Sequence, residues 1–82
     1  MMTNKYLNQL ADTFLTFESR KEIIDFLKGI LTPQELDEIP LRLEIVRLLK
    51  EGVTQRKIAD DLGVGIATVT RGSRELRKGR FK

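Results

Sequence analysis

The sequence contains no cysteine and no histidine. Without cysteine the chain has no disulfide framework and no thiolate metal site, and without histidine it lacks the commonest general base and metal ligand. No apolar run approaches the roughly 18 residues of a membrane span, and the first residues do not follow a signal-peptide pattern. We therefore expect a cytoplasmic protein that is not an enzyme, does not enter a membrane, and has no catalytic residue, metal site or resident cofactor.

Length and composition favour one ordered domain over residues 1–82. Charged residues make up 33% of the chain and hydrophobic residues 40%. This balance is typical of an ordered helical protein and is unlike that of a disordered chain.

The net charge of +3 is unevenly distributed along the chain. Residues 1–55 carry 7 Lys+Arg against 9 Asp+Glu, whereas residues 56–82 carry 8 against 3. The C-terminal part is therefore basic, as a nucleic-acid-binding surface requires. A basic run alone is often only a solvent-exposed face. The charge asymmetry therefore indicates nucleic-acid binding only where it coincides with a motif.

The basic part contains a pattern of two short helices joined by a tight turn, over residues 54–77. Gly63 lies where the turn needs a positive φ, which other residues adopt only with strain. The small Ala59 lies where the two helices would cross. The positions expected to face inward are Ile58, Leu62, Val64, Ile66 and Val69. The opposite side carries side chains suited to phosphates and base edges, namely Gln55, Arg56, Thr68, Thr70, Arg71, Ser73, Arg74 and Arg77.

Two amphipathic helices are predicted in the first 30 residues. Residues 3–16 repeat apolar side chains at intervals of three and four, and Ser19 with Glu22 forms a capping box that begins the second helix. These helices hold four of the five aromatic residues, which are Tyr6, Phe14, Phe17 and Phe26. One small subunit does not bury so much apolar surface, so the pattern favours a homodimer formed through these helices.

The middle of the chain is predicted to form two connecting helices. Thr32, Pro33 and Glu35 begin a third helix, which Pro40 is expected to interrupt, so that a fourth runs from about residue 40 to residue 51. The resulting plan is about six short helices. Dimerisation helices occupy residues 1–31, connecting helices residues 32–52, and a helix-turn-helix residues 53–78.

One glycine stands inside the last predicted helix. Gly72 costs roughly 1 kcal/mol there relative to alanine, which indicates that another element packs close to the backbone. The basic tail, residues 78–82, is expected to fray.

A set of residues between positions 31 and 77 matches one family nearly in register. The matching residues are Leu31, Thr32, Pro33, Glu35, Arg42, Ile45, Val46, Leu49, Gly52, Gln55, Arg56, Leu62, Gly63 and the nonapeptide GIATVTRGS at residues 65–73. With this pattern the chain closely resembles the Trp repressor superfamily, and the nonapeptide is the most specific part. Upstream only the two-helix layout is similar, and the short chain with its divergent N-terminus is most similar to the YerC/YecD-type branch.

The resemblance implies an all-α, intertwined homodimer whose first two helices interlock with those of the partner. Each subunit would present a helix-turn-helix to double-stranded DNA, with the two recognition helices about 34 Å apart on a near-palindromic operator. The implied function is a sequence-specific transcription regulator, with repression as the leading interpretation. The residues that correspond to DNA-contacting positions, or lie beside them on the basic face, are Gln55, Arg56, Gly65, Ile66, Ala67, Thr68, Thr70, Arg71, Ser73 and Arg74.

The resemblance also implies an effector pocket. In the tryptophan-sensing members the indole lies between two arginines and against a glycine, at positions that correspond to Arg42, Arg71 and Gly72. Thr32 corresponds to the pocket margin, and Glu75 replaces a serine that bonds the ligand amine. Glu75 is expected to fill the pocket by pairing with Arg71 or Arg42, so that no co-repressor is needed. The alternative is that it binds the ammonium of a different amino acid or amine. Both interpretations argue against tryptophan as the effector.

Two alternatives stay open. Members of the superfamily usually have another helix after the recognition helix, so either this domain is minimal or a C-terminal helix lies outside this sequence. An interaction module for protein or RNA on the same fold is the alternative function. DNA affinity should fall steeply with salt, which separates DNA binding from protein binding.

Overall fold

A computed structural model describes residues 2–81, with side chains from residue 4 onward. The helices are α1 (Met2–Leu15), α2 (Arg20–Ile30), α3 (Pro33–Lys50), α4 (Gln55–Leu62) and α5 (Ile66–Arg77). No strand occurs among the described residues, so the all-α prediction is confirmed. Within residues 2–81, no helix combines the length and the hydrophobicity needed to cross a membrane. Residues 1 and 82, which the predicted domain and tail include, lie outside the described residues.

The prediction of about six helices is wrong, because Pro40 does not interrupt α3. This proline lies inside a helix of 18 residues. A proline within a helix removes one backbone hydrogen bond and costs about 3 kcal/mol, but the residues on both sides can keep helical backbone angles. Here α3 has a capped start at Thr32 and buries Ile45 and Val46 after the proline. These contributions outweigh the cost of Pro40, and the two predicted connecting helices are one helix.

Side-chain caps begin α2 and α3 at the predicted residues, and a further cap begins α4 at Thr54. The Ser19 hydroxyl accepts a hydrogen bond of 3.2 Å from the backbone N–H of Glu22, and Thr54 caps α4 in the same way. The capping box of α3 is reciprocal. Thr32 Oγ1 accepts from the N–H of Glu35 at 3.2 Å, and Glu35 Oε1 accepts from the N–H of Thr32 at 2.9 Å. Such caps satisfy backbone donors that have no partner within the helix.

The described chain forms two compact units, one up to Leu36 and one from Asp37 onward. In the first unit three phenylalanine rings pack at steep angles. The ring centroids of Phe14 and Phe17 are 5.9 Å apart, those of Phe14 and Phe26 are 5.5 Å apart, and those of Phe17 and Phe26 are 5.2 Å apart. Each such pair contributes about 0.5–1.5 kcal/mol beyond its buried area. This cluster joins α2 to the end of α1.

The first unit buries little else. None of its described side chains is buried, and Tyr6 and Leu7 expose 61% and 60% of their surface. The other large exposed apolar residues of this unit are Leu10, Phe14, Leu15, Ile24 and Ile30. Apolar exposure on this scale is typical of helices that pack against a partner.

The core of the second unit joins α3, α4 and α5. Ile45, Ile58 and Val69, one from each helix, are fully buried and form one cluster. The partly buried residues around them are Leu48, Leu49, Val53, Ala59, Leu62 and Val64. Full burial of an isoleucine or valine side chain contributes about 1.5–3 kcal/mol, so this cluster holds α4 and α5 against α3.

Candidate functional site

The turn between α4 and α5 consists of Gly63, Val64 and Gly65. Gly63 has a φ of +67°, as the sequence predicts, and its N–H bonds to the carbonyl of Ala59. Gly65 has extended backbone and serves as the N-cap of α5. Two short helices joined by a three-residue turn form the predicted helix-turn-helix.

The first residues of α5 lie on the surface. Gly65, Ala67 and Thr68 are exposed, and Ile66 exposes 52% of its surface. The prediction that Ile66 faces inward is wrong, because Val69, one turn later, is the residue of α5 that enters the core. Because glycine has no side chain, the N-cap residue Gly65 leaves the first N–H groups of α5 without a side-chain hydrogen bond. The helix therefore presents backbone donors and the positive end of its dipole at an exposed surface.

Two of the predicted DNA-contacting residues bond to each other. The Thr70 hydroxyl donates to Gln55 Oε1 at 2.9 Å and also lies 3.0 Å from the carbonyl oxygen of Ile66. Both Thr70 and Gln55 are half-buried. Their bond fixes the start of α4 against α5, and it leaves the amide nitrogen of Gln55 outside this interaction.

The remaining predicted DNA-contacting residues differ in exposure. Arg56 on α4 and Arg71 and Arg74 on α5 are exposed, whereas Ser73 is half-buried. The described residues contain no group of three or more acidic, cysteine or histidine side chains that is arranged to hold a metal ion. The functional groups of this surface are therefore hydroxyls, guanidiniums, one amide and the backbone N–H groups of α5.

Gly72 allows α5 to approach α3 closely. A Cβ atom at this position would lie 3.2 Å from Ile45 Cγ2 and 3.8 Å from Leu49 Cδ1. The first distance is shorter than ordinary van der Waals contact, so a side chain would displace a buried neighbour. The prediction that another element packs at Gly72 is confirmed, and that element is α3.

Beside this contact the second unit contains a cavity of about 640 Å³. Four of the five predicted pocket residues line it, and they are Arg42, Arg71, Gly72 and Glu75. Thr68 lines it as well, so the cavity reaches the exposed start of α5. The fifth predicted residue, Thr32, caps α3 in the first unit, and its part in an effector pocket stays a prediction.

Glu75 does not close the cavity by pairing with an arginine. Its Oε2 atom lies 3.4 Å from Lys78 Nζ, three residues further along the chain. Oε2 is buried and makes no hydrogen bond within the described part of the chain. The carboxylate pairs with Lys78 at the end of α5 and not with Arg71 or Arg42, so the expected ion pair is wrong.

The residues after α5 form part of the cavity wall, which the sequence reasoning missed. Gly79 has a φ of +81°. Its N–H bonds to the carbonyl of Leu76 at 3.0 Å, and the N–H of Arg80 bonds to the carbonyl of Glu75 at 3.3 Å. These two bonds make a Schellman motif, which ends the helix and reverses the chain. Arg80 and Phe81 consequently line the cavity, and the expectation that the tail frays stays a prediction.

Comparison with known proteins identifies the chain's relatives. The sequence profile described as Trp repressor protein matches residues 5–81. A Trp operon repressor homolog of Vibrio vulnificus (strain YJ016) is 43% identical over 70 residues, which cover 84% of this chain and 69% of that protein. A Trp operon repressor homolog of Actinobacillus succinogenes is 44% identical over 72 residues, which cover 85% and 70%.

The protein YerC of Bacillus subtilis (strain 168) is 33% identical over 78 residues, which cover 95% of this chain and 75% of YerC. The resemblance predicted from the sequence motifs is thereby confirmed. Since the profile match extends over nearly the whole described chain, and the helices have the all-α arrangement that the resemblance implies, the chain belongs to the Trp repressor family.

Proposed function

We propose that this chain is a sequence-specific DNA-binding transcription regulator, a repressor that acts as a homodimer on a near-palindromic operator. The observation that carries the proposal is the exposed start of α5, from Gly65 to Thr68, next to the buried anchor Val69. In helix-turn-helix proteins the first residues of the second helix contact base edges in the major groove. The Thr68 hydroxyl, which can donate and accept, suits this role.

Phosphate contacts come from the groups around this helix start. Arg56, Arg71 and Arg74 are exposed, and their guanidiniums can donate two hydrogen bonds to one phosphate. The backbone N–H groups at the start of α5 suit a further phosphate oxygen. The amide nitrogen of Gln55 adds another donor. Such contacts set the register of α5 on the duplex, whereas base contacts set its sequence preference.

Family membership supports a regulatory rather than an enzymatic function. Two of the relatives described above carry the name Trp operon repressor homolog. That name favours repression over activation for this chain.

The exposed apolar side chains of the first unit support the homodimer. None of its described side chains is buried, and Tyr6 and Leu7 on α1 are mostly exposed. A two-fold axis brings the same face of each copy together and buries both at once. The two copies of α5 then reach successive major grooves, about 34 Å apart along the duplex.

The cavity beside α5 is the proposed effector pocket. Thr68 and Arg71 belong both to its wall and to the proposed DNA contacts, so a bound ligand would touch the residues that contact DNA. Ligand binding is therefore expected to change DNA affinity. The proposed pocket residues of this unit are Arg42, Arg71, Gly72 and Glu75. Tryptophan is not the expected effector, because Glu75 stands where the tryptophan-sensing members have the serine that bonds the ligand amine.

A pair of arginine variants tests DNA binding. Arg56→Ala removes an exposed guanidinium from α4, whereas Arg47→Ala removes one from α3 that already pairs with Glu44 and Glu51. Fluorescence anisotropy with a DNA duplex, repeated over a range of salt concentrations, measures both. We expect Arg56→Ala to weaken binding and to reduce the slope of log K against log salt by about 0.9. Arg47→Ala should change neither quantity, and a wild-type affinity that is insensitive to salt would refute DNA binding.

A further inference from the structure

The side-chain hydrogen bond between Thr70 and Gln55 joins the two helices of the helix-turn-helix. The Thr70 hydroxyl on α5 lies 2.9 Å from Oε1 of Gln55, the first residue of α4. The two residues are 15 positions apart in the sequence, and both are half-buried. The position of a side chain on α4 therefore depends on a residue of α5.

The Thr70 hydroxyl has one proton and two acceptors within reach. The second acceptor is the carbonyl oxygen of Ile66, at 3.0 Å. Within an α-helix this carbonyl already accepts the backbone N–H of Thr70, four residues later. The side-chain oxygen of Gln55 has no other donor among residues 2–81, so it would lose its only hydrogen bond if the proton turned to Ile66. The proton therefore belongs to the bond with Gln55.

This bond leaves the Gln55 side chain with donors alone. Its oxygen accepts from Thr70, and the NH₂ group that remains carries two N–H donors and no acceptor. DNA offers acceptors to such a group, namely phosphate oxygens and the O6 and N7 atoms of guanine. The bidentate contact of a glutamine with adenine needs the amide oxygen as well as the nitrogen. The bond from Thr70 therefore disfavours recognition of adenine by Gln55.

We propose that Thr70 is a positioning residue, which fixes Gln55 as a donor to an acceptor on DNA and does not itself contact DNA. The inference rests on the proposed DNA-binding function and names the kind of group that Gln55 binds, a phosphate oxygen or a guanine edge. It replaces the direct DNA contact that the family resemblance implies for Thr70. A hydroxyl whose proton is used within the protein keeps only lone pairs, and these do not bind a phosphate oxygen.

A double-mutant cycle on DNA affinity tests the link between the two residues. The probe is the tightest-binding duplex that the wild-type chain selects from genomic DNA, and fluorescence anisotropy measures its Kd. Gln55→Ala should weaken binding about tenfold, the effect of losing one hydrogen bond. Thr70→Val should weaken binding about fivefold in the wild-type background and should change nothing in the Gln55→Ala background. A residue that contacts DNA itself would lower the affinity equally in both backgrounds.

Two further variants separate positioning from a general effect on the helices. Thr70→Ser keeps the hydroxyl, so its DNA affinity should be close to that of the wild type. Thr13→Val is the matched control on α1. The Thr13 hydroxyl donates at 2.9 Å to the carbonyl of Gln9, four residues earlier, and bonds to no second helix in the described part of the chain. Its loss should leave the Kd for DNA unchanged.

Gln55→Glu distinguishes a donor from an acceptor at the DNA surface. A glutamate can still accept from Thr70, but its other oxygen donates nothing and its charge repels phosphate. We expect Gln55→Glu to weaken binding more than Gln55→Ala. Duplexes with single methylphosphonate linkages or with 7-deazaguanine then identify the acceptor. The affinity difference between the wild type and Gln55→Ala should shrink at one modified phosphate, or at one guanine that lacks N7.

The proposal is overturned if Thr70→Val lowers the affinity equally in both backgrounds, or if no modified phosphate or guanine changes the effect of Gln55→Ala. Wild-type affinity of Gln55→Glu would also overturn it, because the amide oxygen would then face DNA. In each of these cases, salt-dependent binding by the wild type refutes the positioning role alone. Absence of DNA binding by the wild type refutes the regulator, and the positioning role with it.

Discussion

The hydroxyl of Thr70 on α5 donates a hydrogen bond of 2.9 Å to the side-chain oxygen of Gln55 on α4. The same hydroxyl lies 3.0 Å from the carbonyl of Ile66, one turn earlier in α5. Because a hydroxyl has one proton, the two acceptors share one donor. This bond joins the start of α4 to α5, so it links a residue that is proposed to contact phosphates to the helix that is proposed to contact bases.

Replacement of Thr70 by valine keeps the branched shape and removes the donor. We expect Thr70→Val to lower the free energy of unfolding by about 1 kcal/mol, because the half-buried oxygen of Gln55 loses its partner. Thr70→Ser keeps the hydroxyl and serves as the matched control, with a smaller loss. Urea denaturation followed by circular dichroism measures both. Equal stability of Thr70→Val and the wild type would show that the bond contributes nothing.

The close approach of Gly72 to Ile45 predicts an unusual response to alanine. Alanine normally stabilises a helix interior by about 1 kcal/mol relative to glycine. Here the added methyl group would lie 3.2 Å from Cγ2 of Ile45, a fully buried side chain that would have to shift by a few tenths of an ångström. We therefore expect Gly72→Ala to be less stable than the wild type.

A double-mutant cycle isolates the cause of this loss. Ile45→Leu removes the methyl branch at Cγ2, so Gly72→Ala should cost less in that background. We expect a coupling of about 1 kcal/mol between the two substitutions, within the range for residues in contact. Additive effects in thermal or urea denaturation would contradict the packing argument.

Features set by a few neighbouring residues could be predicted from the sequence. The caps at Ser19 and Thr32 depend on side chains three residues apart, and the positive φ of Gly63 depends on the turn alone. The effect of Pro40 could not be predicted in this way. Continuation of α3 depends on the burial of Ile45, which packs on the two later helices and not on its chain neighbours.

The candidate site, like the fold, could be predicted from the sequence only in part. Residue types and the family resemblance indicated the exposed start of α5 and the arginines of the cavity. The partner of Glu75 was not predictable, because Arg71 and Lys78 both lie within one turn of it and side-chain packing decides between them. Gly79 indicates that the helix ends there, but it does not indicate which surface Phe81 reaches.

The exposed face of α1 predicts the oligomeric state. Leu7 exposes 60% of its surface in the described chain, and burial of a leucine in a dimer contributes about 1.5–3 kcal/mol. Leu7→Glu would place a charge in the proposed interface and should convert the proposed dimer to monomer in sedimentation equilibrium. Gln9→Glu, a similar change on another side of α1, should leave the dimer intact. A wild-type monomer at micromolar concentration would contradict the dimer.

The exposure of Thr68 predicts an effect on sequence preference. Thr68→Ala removes a hydroxyl at the proposed base-contacting surface without removing a charge. We expect affinity for the operator to fall by about 1–3 kcal/mol while affinity for unrelated duplexes stays nearly constant. Anisotropy titrations with both duplexes measure the ratio. An equal loss on every sequence would assign Thr68 to the phosphate backbone instead.

We propose that a dimer of this chain recognises a specific DNA sequence. Selection of genomic fragments by the purified protein at moderate salt, followed by sequencing, measures this recognition. We expect an enriched inverted repeat whose half-sites are centred about one helical turn, or 34 Å, apart. Absence of any enriched motif would contradict sequence-specific recognition and would favour a protein or RNA partner for the same helices.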